Sequence, residues 1–209
     1  SGSLAVTESG AGNSALGYAA GTAVTGTGNT LCGYSAGDVI QGGGYNVIIG
    51  YNADPSANDS TYQTVLGYAA TGNADNSFVV GNSTTDSAIA YGATSITQPS
   101  DERYKEEIQD ATAGLSFIND LRPVTFKWKK EKDVPSDHRA YVEGSETRVM
   151  LSQGETNHGF IAQEVKEVID SHPEIHDGFD MWSEDDIDGR QRLGPNSLIP
   201  MLTKAVQEL

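Results

Sequence analysis

Short apolar runs recur through the first half of the chain at nearly constant spacing. They predict short β-strands, not helices. Asn13-Ser14-Ala15-Leu16-Gly17-Tyr18 aligns with Asn29-Thr30-Leu31-Cys32-Gly33-Tyr34, with Asn46-Val47-Ile48-Ile49-Gly50-Tyr51 and with Gln63-Thr64-Val65-Leu66-Gly67-Tyr68. Asn76-Ser77-Phe78-Val79-Val80-Gly81-Asn82 is a weaker fifth copy, and the closing glycines step by 16, 17, 17 and 14 residues. Each unit runs on into a small-residue turn such as Ala19-Ala20 or Ser35-Ala36, where the Gly suits a positive φ or a tight contact. A rung this short buries little by itself, so the rungs must stack. The period is short for a full coil of a three-sided solenoid, so three chains each supplying one face is the expected arrangement. A monomeric β-solenoid is the alternative.

The pattern changes after Ser95-Ile96-Thr97-Gln98-Pro99. Leu115, Phe117, Ile118 and Leu121 recur at helical spacing, and Pro123 stops the run. Val124, Phe126 and Trp128 then alternate with Thr125, Lys127 and Lys129 as a half-buried strand. Residues 130–156 are polar and read as a long hairpin or an insertion. His158-Gly159-Phe160-Ile161 predicts a strand entering a helix with Val165, Val168 and Ile169 as its stripe, ended by Pro173. Asp188-Gly189 is a hairpin-turn signal. A last helix follows from Leu198, with Asn196 or Ser197 as its cap and Pro200 in its first turn. Leu198, Leu202, Ala205 and Leu209 step by 4, 3 and 4, which is either a coiled-coil seam or one face of an ordinary amphipathic helix. The seam is still running at Leu209, so a longer coiled coil is expected.

Composition sharpens the same border. Residues 1–99 of the 209 hold no Lys or Arg, six acidic residues and 17 of the 24 glycines. All 13 basic residues and the other 23 acidic residues lie in 100–209. The predicted organisation is therefore mixed. An all-β trimeric solenoid or β-roll shaft spans 1–99, and an α+β domain ending in a coiled-coil helix spans 100–209. A cation-free half cannot neutralise phosphates, and the second half is strongly acidic, so neither nucleic acid nor an anionic membrane is an expected partner. No run approaches the ~18 apolar residues of a membrane span. No signal peptide is visible, and Ser1-Gly2-Ser3 reads as a cloning scar, so a native N-terminus further upstream is expected. The lone Cys32 excludes an intrachain disulfide and a Cys-based metal cluster.

Three motif matches carry no chemistry. Gly33-Tyr34-Ser35-Ala36-Gly37 has the form of a nucleophile elbow, but its repeat equivalent is Gly17-Tyr18-Ala19-Ala20-Gly21, and no helical pattern follows. Glu184-x-Asp186-x-Asp188-Gly189 resembles an EF-hand opening, yet Pro195 stands where the bidentate Glu belongs. His172 and His176 are four apart but lack the Glu of a zinc-protease helix. No metal and no cofactor are expected.

Two resemblances remain. The Asn-x-[VLF]-x-[VLI]-Gly repeat over residues 13–82 resembles the head repeats of trimeric autotransporter adhesins and some phage fibre shafts. At the border, Ser100-Asp101-Glu102-Arg103-Tyr104-Lys105 with Ile108 resembles the opening of the intramolecular chaperone domain of endosialidases and other phage tailspikes and tail fibres. Leu121 to Trp128, Gly159 to Val165 and Leu198 to Leu209 are similar to that domain's later blocks, in order.

The second resemblance implies a domain that trimerises, folds the fibre upstream of it and then cuts the chain before its opening Ser with a Ser-Lys dyad. By position, Ser100 is the nucleophile, Lys105 the base and Pro99–Ser100 the scissile bond. A Ser hydroxyl needs a base, and a Lys serves only when burial or a nearby cation favours its neutral form. Arg103 would favour that form, whereas Asp101 or Glu102 would oppose it by pairing with the Lys. Five residues is not a same-face helical spacing, so the segment must curl, or the two groups come from different subunits. Attack on Pro99 would form an ester for water to cleave. Direct hydrolysis with the Ser in another role is the other route.

Simpler roles use the same residues. Ser100-Asp101 can cap a helix, and Lys105 with Glu106 and Glu107 can be a solvated face. His158 either helps position the dyad or is a hydrogen-bonded structural His. Gln163 and Glu164 either cap a helix or line a subunit contact, with the further option that Glu164 orients Lys105 or Arg103. The expected partner is the chain itself as a homotrimer, in the fibre or spike of a virion, with the chaperone acting in the host cytoplasm during assembly. A host cell-surface receptor is a candidate partner of the mature fibre. The alternatives are a non-cleaving fibre tip or adhesin and, ranked last, a trans-acting glycan hydrolase.

Overall fold

The computed structural model describes residues 10–150, 156–175 and 179–209. The chain divides into two compact units, residues 1–106 and 107–209, so the segment 100–106 goes with the repeat half.

In the first unit the repeats form one six-stranded sheet: β1 (Ser14–Leu16), β2 (Thr30–Cys32), β3 (Val47–Ile49), β4 (Gln63–Leu66), β5 (Ser77–Gly81) and β6 (Asp86–Ala90). The first five pair in parallel, and β6 returns antiparallel on β5. The result is a β-solenoid of about four turns. Register follows the repeat glycines and stacks Ala15, Leu31, Ile48, Val65 and Val79 in one inward row. Each coil closes on the chain's own preceding strand, so three chains are not needed to complete one. The coil is this short because its other wall is a turn of small residues: Ala20, Ala36, Ala53 and Ala70 are fully buried beneath it.

That turn explains the glycine. Gly17, Gly33, Gly50 and Gly67 sit at φ +132 to +145°, and a Cβ on Gly33 would run into the Gly50 carbonyl of the next coil. Two residues on, Ala19, Ser35, Asn52 and Ala69 share a left-handed φ of 49–57°. Ser35 of the elbow-like motif is thus a repeat turn residue, with a turn and not a helix after it.

A polar ladder runs inside the stack. Asn13 Oδ1 accepts from Asn29 N at 2.8 Å, Asn29 Oδ1 from Asn46 N at 3.1 Å, and Asn46 Oδ1 from Gln63 N at 2.9 Å. The Asn29 and Asn46 amides also donate to the Gly43 and Ser60 carbonyls, and both side chains are fully buried. Outside, Tyr18, Tyr34, Tyr51 and Tyr68 stack with ring centroids 5.0–5.6 Å apart.

The second unit holds α1 (Leu115–Asp120), β7 (Val124–Phe126), β8 (Asn157–Gly159), α2 (Ala162–Ser171), β9 (Trp182–Glu184), β10 (Gln191–Leu193) and α3 (Leu198–Glu208). β7 pairs antiparallel with β8, and β9 with β10. Phe117, Leu121, Val165, Ile169, Met181 and Leu198 form the core. The strand ends at Phe126, and Trp128 packs edge-on against that ring. Asp188-Gly189 does lie in the β9–β10 connection, which is a six-residue loop and not a two-residue turn. Ser197 makes no side-chain cap on α3, because a 3-10 turn over Pro195–Ser197 leads straight into it. Glu208 instead caps a different helix, accepting from Leu115 N at 2.7 Å across 93 residues.

The expected seam splits. Leu198 and Ala205 are buried in the unit's own core, whereas Leu202 is 46% and Leu209 90% exposed. The exposed apolar line on α3 and its C-cap is Ile199, Leu202, Val206 and Leu209, a 3-4-3 spacing that keeps two of the expected positions and replaces Leu198 and Ala205 by their next neighbours.

The buried ladder makes a prediction about the shaft. Asn46→Ala strips partners from Gln63 N, the Ser60 carbonyl and Asn29 Oδ1 and is expected to destabilise the solenoid by roughly 2–4 kcal/mol. Asn13→Ala, at the half-buried outer coil, is expected to cost less. Denaturant melts followed by tyrosine near-UV signals measure both.

Candidate functional site

Seven residues before Lys105, Gln98 leads into the border from Thr97, which is pinned to β6. Thr97 and Ala88 exchange backbone hydrogen bonds at 2.7 and 2.8 Å, and the Thr97 hydroxyl adds a third at 3.0 Å. The chain therefore enters Pro99–Ser100 from a fixed point. Beyond it, Asp101 caps a 3-10 turn over Glu102–Tyr104, its side chain accepting from Arg103 N at 2.9 Å. Tyr104 N bonds the Asp101 carbonyl, and Lys105 N bonds the Glu102 carbonyl at 3.0 Å. This tight turn brings the Lys105 side chain back over the start of the segment, and its Nζ donates to Ser100 Oγ at 2.7 Å. The contact lies within one chain, and both residues are exposed.

The carboxylate nearest the pair is already engaged. Asp101 Oδ1 and Oδ2 accept from Arg103 Nε at 3.0 and 3.2 Å, and Oδ2 from Nη2 at 2.6 Å. The Arg103 guanidinium, then its backbone N–H, holds the Asp101 carboxyl below the usual range, and Asp101 raises Arg103. Among the described residues Lys105 forms no ion pair.

The remaining predicted residues belong to the second unit. His158 lies on β8 opposite Thr125 with an exposed ring. Gln163 and Glu164 stand in the first turn of α2, whose N-cap, Ile161, offers no side-chain bond. Gln163 is exposed, and Glu164 is clasped by Arg122 through both carboxylate oxygens. Arg122 holds the Glu164 carboxyl below its usual range. Within the second unit, Glu164 is therefore the partner of Arg122.

The acidic loop that mimics an EF-hand is an arginine site. Asp185 accepts from Arg192, Arg190 and Arg139, and Arg192 foremost pulls its carboxyl down to about 2. Among the described residues no group of His, Cys, Asp and Glu is placed to hold a metal. Cys32 is a free, half-buried thiol on β2. His176 lies outside the described residues.

His172, which the sequence offered only as half of a failed zinc motif, has a different role. Its Nδ1 lies 2.8 Å from Glu174 Oε1 and its Nε2 2.9 Å from Asp120 Oδ2, with the ring edge-on to Phe117. Two carboxylates on two ring nitrogens require both to be protonated. Glu174, then Asp120, accordingly raise the His172 pKa. The signal was hidden because Asp120 is 52 residues away in the chain.

Residues 100–172 match the protein-family model described as chaperone of endosialidase, a family of self-cleaving, peptidase-type domains, and the match covers about a third of the chain. The match begins at Ser100 and takes in the first three of the four blocks read from the sequence; Leu198 to Leu209 lies beyond it. The family supports a chaperone role in fibre folding. No curated protein and no solved structure matches the chain.

The His172 clamp sets a pH dependence. A pKa raised on folding stabilises fully below the unfolded value of about 6.5, and the gain is lost as pH climbs through the raised folded value. The second unit is therefore expected to lose thermal stability on going from pH 6 towards pH 9, and His172→Gln to flatten that loss. Trp128 and Trp182 are the chain's two tryptophans and both lie in this unit, so fluorescence melts follow it alone.

Proposed function

We propose that this chain is the C-terminal part of a homotrimeric viral tail fibre or spike. Its solenoid is the end of the mature shaft, and the domain opening at Ser100 folds and trimerises that shaft and then releases itself by cutting Pro99–Ser100. The observation that carries this reading is the 2.7 Å contact between Lys105 Nζ and Ser100 Oγ, at the first residue of the family match.

The chemistry follows from that contact. As a neutral amine, Lys105 accepts the Ser100 hydroxyl proton, and Oγ attacks the Pro99 carbonyl carbon. Collapse breaks the Pro99–Ser100 C–N bond, the proton passes to the leaving nitrogen, and an ester joins Pro99 to Oγ. Water hydrolyses the ester, giving the Pro99 carboxylate and free Ser100. An exposed lysine lacks the burial that favours its neutral form, so packing between copies has to supply it. In this reading cleavage waits for assembly.

Two apolar surfaces support assembly. The outer row of the sheet includes Leu16, Ile49 and Val80, each more than 40% exposed, and α3 adds the line Ile199, Leu202, Val206 and Leu209. Three copies brought together by the second unit would raise the local concentration of the shafts and set their register. Release would then leave a trimer held by kinetics. The virion is the place of the mature fibre and the host cytoplasm that of the chaperone, with a host surface receptor as a further partner of the fibre.

The exposure of the Ser100–Lys105 pair favours one second reading, a fibre tip or adhesin that never cuts. Denaturing gels of the expressed chain separate the two. Self-cleavage releases a fragment of roughly 12 kDa, in proportion to its share of the 209-residue, 22.1 kDa chain. Ser100→Ala and Lys105→Ala are expected to slow it by at least about a hundredfold. A wild-type chain that stays whole supports the tip; cutting by the alanine variants refutes the dyad.

A further inference from the structure

The Ser100 turn carries an ion pair that the dyad chemistry does not itself call on. Asp101 follows the nucleophile and stands four residues before the base. A carboxylate there would bind an ammonium at Lys105 and keep it protonated. The structure gives that carboxylate another occupation: the Arg103 side chain meets both of its oxygens, and Arg103 N meets one of them. Among the described residues, Lys105 Nζ is left with Ser100 Oγ as its hydrogen-bond partner.

We infer that Asp101 and Arg103 are positioning residues of the self-cleavage site: their ion pair keeps the Asp101 carboxylate off Lys105, while the Asp101 cap holds the turn that folds Lys105 onto Ser100. The inference rests on the Ser-Lys reading. The two tasks need both partners. The cap needs a side-chain oxygen at 101, which Asn also supplies. The shielding needs a cation at 103. The other charged groups of the segment are Glu102, Glu106 and Glu107, all exposed and, among the described residues, without an ion pair to Lys105. Asp101 differs from them in that its carboxylate caps the turn that carries Lys105.

The division of tasks makes the pH profile of cleavage the readout. In Arg103→Gln the freed carboxylate turns to Lys105, and the rise of the cleavage rate moves to higher pH by about one unit or more. Adding Asp101→Asn removes that carboxylate while keeping the cap, so the double variant regains the wild-type position of the rise. Arg103→Lys, which retains the cation, stays close to wild type.

The test is cleavage rate against pH in the full chain for wild type, Arg103→Gln, Arg103→Lys and the Asp101→Asn/Arg103→Gln pair. An upward shift in Arg103→Gln that the double variant reverses establishes the inference. A slower rate with an unmoved profile overturns it, since loss of the turn alone lowers the rate at every pH. So does a shift that persists in the double variant. Ser100→Ala run alongside separates the two levels: if it still cuts, the dyad reading has failed; if it is inert while Arg103→Gln keeps its profile, only the role of the ion pair has failed.

Discussion

A hydroxyl and an amine five residues apart meet only where the backbone between them turns tightly, and the account of this chain depends on that turn. An extended segment would hold Ser100 and Lys105 well apart, and an α-helix would set them on different faces. The 3-10 turn over Glu102–Tyr104, capped by Asp101, removes the difficulty with local bonds alone. The same turn gives Asp101 a partner other than the base. In the proposed reaction, the geometry for proton transfer and the shielding of the proton acceptor would both come from this one short stretch of sequence.

The shaft upstream is governed by a different constraint. Parallel coils can stack only if each turn passes close to the next, which is why the glycines at φ +132 to +145° lie against backbone carbonyls of the neighbouring coil. The buried asparagines then satisfy backbone groups that the short strands leave over. A one-residue slip would move the apolar row outward and break the ladder at every coil. Such a structure is built from many contacts between coils and exposes edges while it forms. That is the physical case for a folding domain that follows it in the chain.

The repeat was legible because its period is written in the sequence: the Gly step matches the observed register, whereas the inward row is seen only in the structure. The α2 helix and the strand before it were legible from spacing and Pro173, and the Ser100 motif from its local pattern. What escaped had distant causes. Two of the four expected seam positions on α3 are buried, Leu198 in the Phe117 core and Ala205 further along the same helix, which spacing within one helix does not report. Glu208 capping α1, Arg122 clasping Glu164 and Asp120 bonding His172 join residues 42 to 93 positions apart. The sequence also left open whether a coil needs one chain or three, because it does not show how far a row of buried alanines narrows the turn.

The central claim is that the chain cuts its own backbone before Ser100. Intact mass spectrometry with N-terminal sequencing of the fragment released from the purified full chain tests it most directly. The account predicts a C-terminal fragment that begins Ser-Asp-Glu-Arg and an N-terminal fragment that ends in Pro99. A fragment with any other first residue, or a chain that remains intact once assembled, would contradict it.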